Sequence, residues 1–388
     1  MYNIKTLNNI AQIGLDVFDK SKYAVSAECE NPDAIIVRSA KMHDYSFNSE
    51  LLCIARAGAG TNNIPSDKCA ENGIVVFNTP GANAEAVKEL ALCAMLMASR
   101  DVYGGINWVK SIADKGDEVA ALVEKGKSAF TGPEIMGKKL GVIGLGAVGA
   151  KLADAAVLLG MQVYGYDPFI SVDAAWKLNP AIIKTDDIET IYKNCDYISI
   201  HIPYMKSTHH FIDKAALDMM KDGVRIINLA RAELISDDDI IAAIKAGKVA
   251  KYVTDFANGK TADVDGIVAM PHLGASTPES EDNCAVMAAH EIIDYVENGN
   301  IVNSVNMPRV SMAKSGEKRL CIIAKNSPDV TAQYTAKIAD SGVATANTAT
   351  GTTKDGAIAY TVIDLNGNTD GLCEAVAAID GVIRARII

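Results

Sequence analysis

Short, continuous apolar runs separated by polar, turn-rich stretches recur through the N-terminal part of the chain. Three of these runs lie at Ala34–Val37, Leu51–Ala55 and Ile74–Phe77. Such runs are typical of strands that are buried on both faces of a parallel sheet. Ligands of parallel sheets bind beyond the carboxyl ends of the strands. The pattern therefore predicts an α/β domain whose binding edge is formed by the loops at 38–41, 58–63 and 78–81.

The middle of the chain continues this alternation after an apolar helical pattern at 84–98. The segment 101–131 is polar with helical spacing, and we expect it to project from the body of the protein. A long helix is expected from Thr277 to Asn298, because proline is favoured at the first helical position. Strand patterns lie between these segments, beginning near Leu140 and then at Tyr197–Ile200, Val224–Asn228, Tyr252–Thr254 and Ile267–Ala269.

The C-terminal segment carries a different order of patterns. Strands are expected at 319–324, 343–349, 357–364 and 382–387, with helices at 330–341 and 372–379. This βαββαβ order is that of a small ferredoxin-like sandwich. Residues 306–317 are expected to form a linker before it. The predicted fold class is therefore α/β, with two doubly wound parallel-sheet domains and a C-terminal βαββαβ domain.

A glycine-rich turn between a strand and a helix carries the first chemical signal. Gly144 permits the tight turn, Gly146 lets the backbone approach a pyrophosphate, and Gly149 allows close packing of the helix on the strand. Asp167 follows the next strand at the spacing of the carboxylate that binds a ribose 2′-hydroxyl. An acid at this position repels a 2′-phosphate, so the sequence predicts NAD as the cofactor.

Composition narrows the choice of partners. The net charge of −11 argues against general binding to nucleic acids or membrane surfaces, and no apolar run is long enough for a membrane span. The eight cysteines form no CxxC pair, and the six histidines are dispersed apart from His209 and His210, so no metal site is expected. These features favour a reduced, cytoplasmic protein that acts on a small molecule.

Three polar side chains stand at the ends of successive strand patterns. Arg231, Asp255 and His272 are expected to share one crevice. An arginine can clamp a carboxylate, and a histidine can take a proton from a hydroxyl group near neutral pH. His201 competes for the role of the base, although its position fits a loop that faces the nucleotide.

The chain resembles the D-2-hydroxyacid dehydrogenase family, in its shorter form with a C-terminal ACT domain. The matching runs extend over nearly the whole chain in the family's order and are 37–39, 56–64, 78–80, the glycine turn, 201–203, 228–231 and 271–277. The resemblance implies a flavodoxin-like substrate domain at 1–97 and 275–305, an inserted Rossmann NAD domain at 98–274, and an ACT domain at 318–388. It also implies NAD-dependent oxidation of 3-phosphoglycerate to 3-phosphohydroxypyruvate, which opens serine biosynthesis.

The resemblance assigns roles to individual residues. Arg231 is expected to bind the substrate carboxylate, His272 to act as the general acid/base, and Asp255 to contact the nicotinamide side. The cofactor-binding residues implied are Gly144, Gly146, Ala147, Val148, Asp167, His201, Ile202, Pro203, Ala230 and Asp255. The substrate-binding residues implied are Arg38, Ser39, Lys41, Gly58, Ala59, Gly60, Asn83, Arg231 and His272.

The sequence departs from the family pattern near the histidine. The family usually has a glutamate shortly after the aspartate, which orients the histidine, but no glutamate follows Asp255. A histidine without that partner should hold its proton less tightly. Asp263 or Asp265 could substitute, or Lys260 could enter the site. The glycine that usually follows the arginine is Ala232.

The C-terminal segment keeps Asn326 of the family's effector loop. Its other effector positions are occupied by Ala324, Ala344 and Asp329, so we expect weak or absent regulation by serine.

Two other functions fit the same sequence. The first is the same hydride chemistry on an unphosphorylated D-2-hydroxy acid such as glycerate or 2-hydroxyglutarate, which would not need the cations Arg38 and Lys41. The second is an NAD-sensing binding protein without turnover. The 101–131 segment and the C-terminal domain suggest a homodimer or homotetramer.

Overall fold

Apolar runs in the first part of the chain form a parallel sheet that is buried on both faces. In the computed structural model, which describes residues 1–388, every residue of Ala34–Val37 is buried. The strand order is β2-β1-β3-β4-β5. The elements are β1 (Tyr2–Leu7), α1 (Gln12–Leu15), β2 (Tyr23–Ser26), β3 (Ala34–Val37), β4 (Cys53–Arg56), α2 (Ser66–Glu71) and β5 (Val75–Asn78).

Two strands of this sheet carry little sequence signal. In β1 only Ile4 is buried, and in β2 only Tyr23 is buried, because both strands lie toward one edge of the sheet. Their polar residues mask the apolar pattern that marks β3 to β5. The sequence therefore predicts β3 to β5 and not β1 and β2, which form the opposite side of the sheet.

A second parallel sheet occupies the middle of the chain, in the order β12-β11-β10-β9-β6-β7-β8. Its strands are β6 (Lys139–Ile143), β7 (Gln162–Tyr166), β8 (Ile183–Lys184), β9 (Tyr197–Ile200), β10 (Val224–Asn228), β11 (Val249–Thr254) and β12 (Ile267–Ala269). The helices are α3 (Ala84–Ser99), α4 (Val102–Ser111), α5 (Val119–Gly126), α6 (Ala147–Leu158), α7 (Val172–Ala175), α8 (Ile188–Asn194), α9 (Lys214–Met219) and α10 (Asp237–Lys245).

The chain divides into two compact units, residues 1–83 with 278–388 and residues 84–277. Helix α3 therefore belongs with the second sheet, whereas the family resemblance implies a domain boundary at residue 97. The physical reason is its apolar face, since Ala91, Met95 and Ala98 pack into one core with Leu140 and Val163. In addition, Ser99 Oγ lies 2.7 Å from the Tyr197 hydroxyl.

The segment after α3 buries nothing in this chain. Helices α4 and α5 and the 3₁₀ turns at Ala113–Glu118 and Lys127–Phe130 contain no buried residue. Apolar side chains on α4 are exposed instead, namely Val102, Tyr103, Ile106 and Val109. This agrees with the expectation of a projecting segment. No helix of the chain combines the length and apolar character needed to cross a membrane.

The C-terminal part begins with a long helix and ends in an antiparallel sheet of order β14-β15-β13-β16. This is the predicted βαββαβ fold. Its elements are α11 (Pro278–Asn298), β13 (Lys318–Lys325), α12 (Pro328–Asp340), β14 (Ala344–Thr352), β15 (Ile358–Asn366), α13 (Leu372–Ala377) and β16 (Val382–Ile387).

The small sheet caps the C-terminal end of α11. Arg319 Nη1 donates to the Asn298 carbonyl at 2.6 Å, Tyr360 donates to Gly299 O at 2.5 Å, and Arg386 donates to Val296 O at 3.1 Å. The last carbonyls of a helix have no partner within the helix, and cations near them are favourable. Cys321, Ile323, Tyr360 and Val362 of the small sheet are also buried in one cluster with the residues of α11 and the first sheet, so one face of the small sheet is part of the core of residues 1–83 and 278–388.

The expected linker at 306–317 is partly built into this core. Met307 and Val310 are buried, and Ile301 pairs with Val310 as an isolated antiparallel bridge. The segment is polar in sequence because only a few of its positions face inward.

Candidate cofactor and substrate sites

The glycine turn after β6 has the geometry of a nucleotide-binding turn. Gly144 has a φ of +92°, and a Cβ on it would lie 2.8 Å from the His201 carbonyl oxygen. A Cβ on Gly149 would lie 1.9 Å from the Gly144 carbonyl oxygen, so both positions require glycine. A Cβ on Gly146 meets nothing within 4 Å. Open space thus adjoins the start of α6 at Ala147 and Val148, whose amides have no partner within the helix.

Asp167 is held beside this turn by two backbone amides. Its Oδ2 accepts from Leu145 N at 2.9 Å, and its Oδ1 accepts from Phe169 N at 2.9 Å. The carboxylate is thereby fixed at the end of β7, next to the glycine turn. This is the placement that the sequence predicted.

His201 lies at the end of β9, where its ring Nε2 is 2.8 Å from Ser199 Oγ. Burial lowers the pKa of His201 to about 4, so the imidazole is neutral near pH 7. It is followed by half-buried Ile202 and exposed Pro203. A neutral, hydrogen-bonded ring fits a nucleotide-facing loop better than a base that takes up protons.

Arg231, Asp255 and His272 follow β10, β11 and β12, which are adjacent in the sheet. The structure therefore brings these three predicted residues to the carboxyl edge of one sheet. Asp255 is buried, whereas Arg231 and His272 are exposed. A buried acid between an exposed cation and an exposed imidazole suits a site that positions an anionic substrate and moves a proton.

One oxygen of Asp255 has a partner and the other has none. Oδ2 accepts from Gly274 N at 2.8 Å, while Oδ1 is buried without a hydrogen bond. An orphaned buried acceptor is costly unless a donor reaches it. The carboxamide of a nicotinamide ring is such a donor. Together with the open space beside Gly146, this unpartnered oxygen shows that the residues present fit NAD.

A buried asparagine shapes the loop that carries Arg231. Asn228 Nδ2 donates to Arg231 O at 2.8 Å, and Ala230 N donates to Asn228 Oδ1 at 3.1 Å. The Arg231 Nη1 donates to Ala230 O at 2.6 Å. Asn228 belongs to the run 228–231 that matches the family, but the sequence alone indicates no role for it. The available sequence signal is that Asn228 is a polar residue at the end of a largely apolar strand.

No acid takes the place of the absent glutamate beside His272. The imidazole packs on the ring of Phe256, with centroids 4.8 Å apart. Lys260 Nζ instead pairs with Asp238 at 2.9 Å, and Asp263 and Asp265 are exposed. In place of the family's glutamate, the neighbour of the His272 imidazole is therefore the aromatic ring of Phe256.

The other predicted residues lie in the unit that contains residues 1–83. The loop after β3 is fixed by Asn8, whose Oδ1 accepts from the amides of Ser39 and Ala40 at 3.0 and 2.7 Å. Arg38 Nη2 pairs with Glu281 Oε1 at 2.7 Å, and Lys41 is exposed. Asn8, which has a φ of +72°, gave no signal in the sequence because nothing marks its distant partners.

The loop after β4 packs against an arginine. Gly58 has a φ of +151°, and a Cβ on it would lie 2.3 Å from Arg56 Nη1. Arg56 Nε donates to Arg38 O at 3.0 Å, and Asn78 Nδ2 donates to Ala59 O at 2.6 Å. Gly60 and Asn83 are half-buried. Arg56 opens the run 56–64 that matches the family, but the sequence alone does not indicate that its side chain lies beside this loop.

Comparison with known proteins places these features in a family. Residues 92–276 match the NAD binding domain of the D-isomer specific 2-hydroxyacid dehydrogenases. The hydroxypyruvate reductase of Thermotoga maritima is 34% identical, covering 67% of this chain and 83% of that protein. The chain belongs to the D-isomer specific 2-hydroxyacid dehydrogenase family. Its cofactor is NAD, as the sequence predicted.

Two further relatives are phosphoglycerate dehydrogenases. The D-3-phosphoglycerate dehydrogenase of Archaeoglobus fulgidus is 34% identical over 76% of this chain, and the chain spans 56% of that protein's length. The NAD⁺-bound 3-phosphoglycerate dehydrogenase of Entamoeba histolytica has a similar structure, with a TM-score of 0.61 and 26% identity. That match covers 79% of this chain and 98% of the other. The predicted α/β fold class is thereby confirmed.

Proposed function

We propose that this protein catalyses the NAD-dependent oxidation of 3-phospho-D-glycerate to 3-phosphohydroxypyruvate, which starts serine biosynthesis in the cytoplasm. The observation that carries the proposal is the placement of Arg231, Asp255 and His272 on three adjacent strand ends beside a dinucleotide turn. The phosphoglycerate dehydrogenases among the relatives support the choice of substrate.

His272 is the general acid/base of this proposal. Its exposed ring can take the proton from the substrate hydroxyl group as the C2–H bond breaks. NAD, when bound, supplies the acceptor for the hydride. In the reverse direction His272 returns the proton to the carbonyl oxygen. His201 is less suited to this role, because its lowered pKa of about 4 makes it a weak base.

Arg231 binds the carboxylate next to the reacting carbon. A guanidinium can donate two parallel hydrogen bonds to a carboxylate, which fixes both position and orientation. The side-chain amide of Asn228 holds the loop that carries Arg231 through two hydrogen bonds to the loop backbone. The substrate would thus be oriented by a side chain whose backbone is already fixed, which lowers the entropy cost of reaching a reactive geometry.

The cofactor would be held by the glycine turn, the start of α6 and Asp167. Gly146, Ala147 and Val148 would bind the pyrophosphate, and Asp167 would bind the adenosine ribose. His201, Ile202, Pro203 and Ala230 would line the nucleotide site. The unpartnered Oδ1 of Asp255 would accept a hydrogen bond from the nicotinamide carboxamide.

The substrate phosphate would bind in the unit that contains residues 1–83. Arg38, Ser39 and Lys41 would supply the main contacts, with Gly58, Ala59, Gly60 and Asn83 in neighbouring loops. Arg56 adds a second guanidinium next to Gly58. A protein with a net charge of −11 needs such local cations to bind a phosphate monoester.

A second candidate is reduction of an unphosphorylated keto acid such as hydroxypyruvate. Arg38 is paired with Glu281 at 2.7 Å, so the cation of the expected phosphate loop already has a partner. The hydroxypyruvate reductase relative supports the same alternative. Either substrate would use Arg231 and His272 in the same way.

NADH oxidation followed by absorbance distinguishes these candidates. Purified protein is assayed with phosphohydroxypyruvate, hydroxypyruvate and 2-oxoglutarate, each with NADH and with NADPH. We expect the highest kcat/KM with phosphohydroxypyruvate and NADH. Equal values for hydroxypyruvate would favour the second candidate. An absence of turnover with all three would contradict the proposal and favour an NAD-sensing protein.

A further inference from the structure

Glu281, in the first turn of α11, is the ion-pair partner of Arg38. Its Oε1 lies 2.7 Å from Arg38 Nη2, and the two side chains are 43% and 38% exposed. Helix α11 begins at Pro278, so this carboxylate stands at the N-terminal end of a long helix. It is an acid placed directly on the cation that the proposed function assigns to the substrate phosphate.

The backbone around Arg38 leaves its side chain as the adjustable part of the loop. Asn8 fixes the amides of Ser39 and Ala40, and Arg56 Nε donates to the Arg38 carbonyl. The guanidinium itself is directed by Glu281. The backbone of the loop is held on both sides of Arg38. The ion-pair partner of the Arg38 guanidinium therefore determines how much uncompensated positive charge is available to a ligand.

The same corner contains a second guanidinium. Burial raises the pKa of the Cys284 thiol, and the nearby charges of Arg56 and Arg38 partly oppose that rise. Cys284 lies one helical turn after Glu281 on α11. Two cations and one carboxylate thus share the corner formed by the loop after β3, the end of β4 and the start of α11.

We propose that Glu281 is a specificity-determining residue that competes with the substrate phosphate for Arg38. This inference rests on the proposed function. A phosphate monoester carries about −1.5 to −2 charges near pH 7. Binding it at Arg38 either displaces Glu281 or places two anions on one guanidinium. Either outcome costs binding free energy that an unphosphorylated acid does not incur. Glu281 therefore weakens the preference of the site for phosphorylated over unphosphorylated substrates.

The test compares Glu281→Gln with Glu279→Gln. Both changes remove one negative charge from the first turn of α11, but only Glu281 pairs with Arg38. The ratio of KM for phosphohydroxypyruvate to KM for hydroxypyruvate is measured with saturating NADH. We expect this ratio to fall by roughly 3- to 10-fold in Glu281→Gln, since an exposed pair and one repulsive contact are of modest size. The ratio in Glu279→Gln should equal that of the wild type.

Three results would overturn the inference. An unchanged ratio would show that Glu281 does not compete. A raised ratio would show that Glu281 positions Arg38 for the phosphate. An equal fall in both variants would indicate a general charge effect of the helix terminus.

Calorimetric binding of 3-phosphoglycerate to the NAD-loaded protein separates this inference from the proposed function. If the wild type shows no turnover, the proposed function fails. Glu281 is then still tested, because tighter binding of 3-phosphoglycerate to Glu281→Gln than to Glu279→Gln supports competition. Equal binding, or no binding to either variant, contradicts it.

Discussion

The imidazole ring of His272 packs against the phenyl ring of Phe256, with centroids 4.8 Å apart and planes inclined by 47°. The backbone fixes both residues. Phe256 follows β11 and Pro271 follows β12, and the two pair as an antiparallel bridge, while His272 N donates to Asp255 O at 2.8 Å. An apolar ring thus restricts the imidazole without supplying the charge of a carboxylate.

Phe256→Ala should lower kcat about 10- to 100-fold. Removing the ring frees the imidazole to leave its reactive position, and small displacements of a catalytic group are costly. The KM for NADH should stay close to that of the wild type, because Phe256 is not among the residues assigned to the cofactor. Phe256→Tyr, which keeps the ring, is the matched control and should retain most of kcat. Steady-state NADH oxidation measures both. If Phe256→Ala had the kinetics of the wild type, Phe256 would not position His272.

His272→Ala should lower kcat by about 10² to 10⁴, the usual size of a general acid/base contribution. His201→Ala is the comparison, since it removes the other strand-end imidazole of the same sheet. His201 is neutral near pH 7 and bound to Ser199, so its loss should act mainly on the KM for NADH. Measurements of kcat and of the KM for NADH across pH 6 to 9 in both variants show which histidine acts as the general acid/base. If His201→Ala lost more in kcat than His272→Ala, the two roles would have to be exchanged.

Asp167→Ala should reduce the preference for NAD over NADP at least tenfold in kcat/KM. The carboxylate repels a 2′-phosphate and accepts from a ribose hydroxyl. Asp173→Ala is a suitable control, because it removes an acid shortly after the same strand in α7. Paired assays with NADH and NADPH measure the ratio. An unchanged ratio in Asp167→Ala would place the ribose elsewhere.

Features that depend on the local sequence can be predicted from it, whereas contacts between residues that are distant in the sequence cannot. The run of Ala34–Val37 and the glycine turn at Gly144 carry their own signals, because burial on both faces and a positive φ each restrict residue type. Asn8 and Phe256 act through partners in other elements, namely the loop after β3 and the histidine after β12. Nothing in the residues adjacent to them specifies those partners.

Asp364→Asn should destabilise the unit formed by residues 1–83 and 278–388 by about 3 to 5 kcal/mol. Asp364 and Arg319 are fully buried and pair at 2.7 Å, and Arg319 also donates to the end of α11. Removing one member of a buried pair leaves an uncompensated charge. Lys22→Gln, which breaks the half-exposed pair with Glu297, should cost less than about 1 kcal/mol. Urea unfolding followed by circular dichroism compares them, and equal losses would contradict the burial argument.

Glu291 should make the protein less stable as the pH rises. Burial raises the pKa of this carboxyl to about 8, against an ordinary value of 4.5, although Asn303 donates to Oε1 at 2.7 Å. Its Oε2 is buried without a partner. Because the folded state binds the proton more tightly, this stabilisation is complete below pH 4.5 and is lost as the pH rises through 8. The loss cannot exceed about 1.4 kcal/mol per pH unit.

Glu291→Gln should therefore be more stable relative to the wild type at pH 8 than at pH 5. Glu297→Gln is the matched control on the same helix. Burial raises the pKa of Glu297, but Lys22 and Tyr23 hold it below its ordinary value, so its contribution is lost as the pH falls. As the pH rises, the free energy of unfolding relative to the wild type should thus increase for Glu291→Gln and decrease for Glu297→Gln. Urea unfolding at pH 5, 6.5 and 8 measures this, since all other titrating groups are shared and cancel. Parallel pH dependences for Glu291→Gln and the wild type would show that Glu291 is ionised in the folded protein.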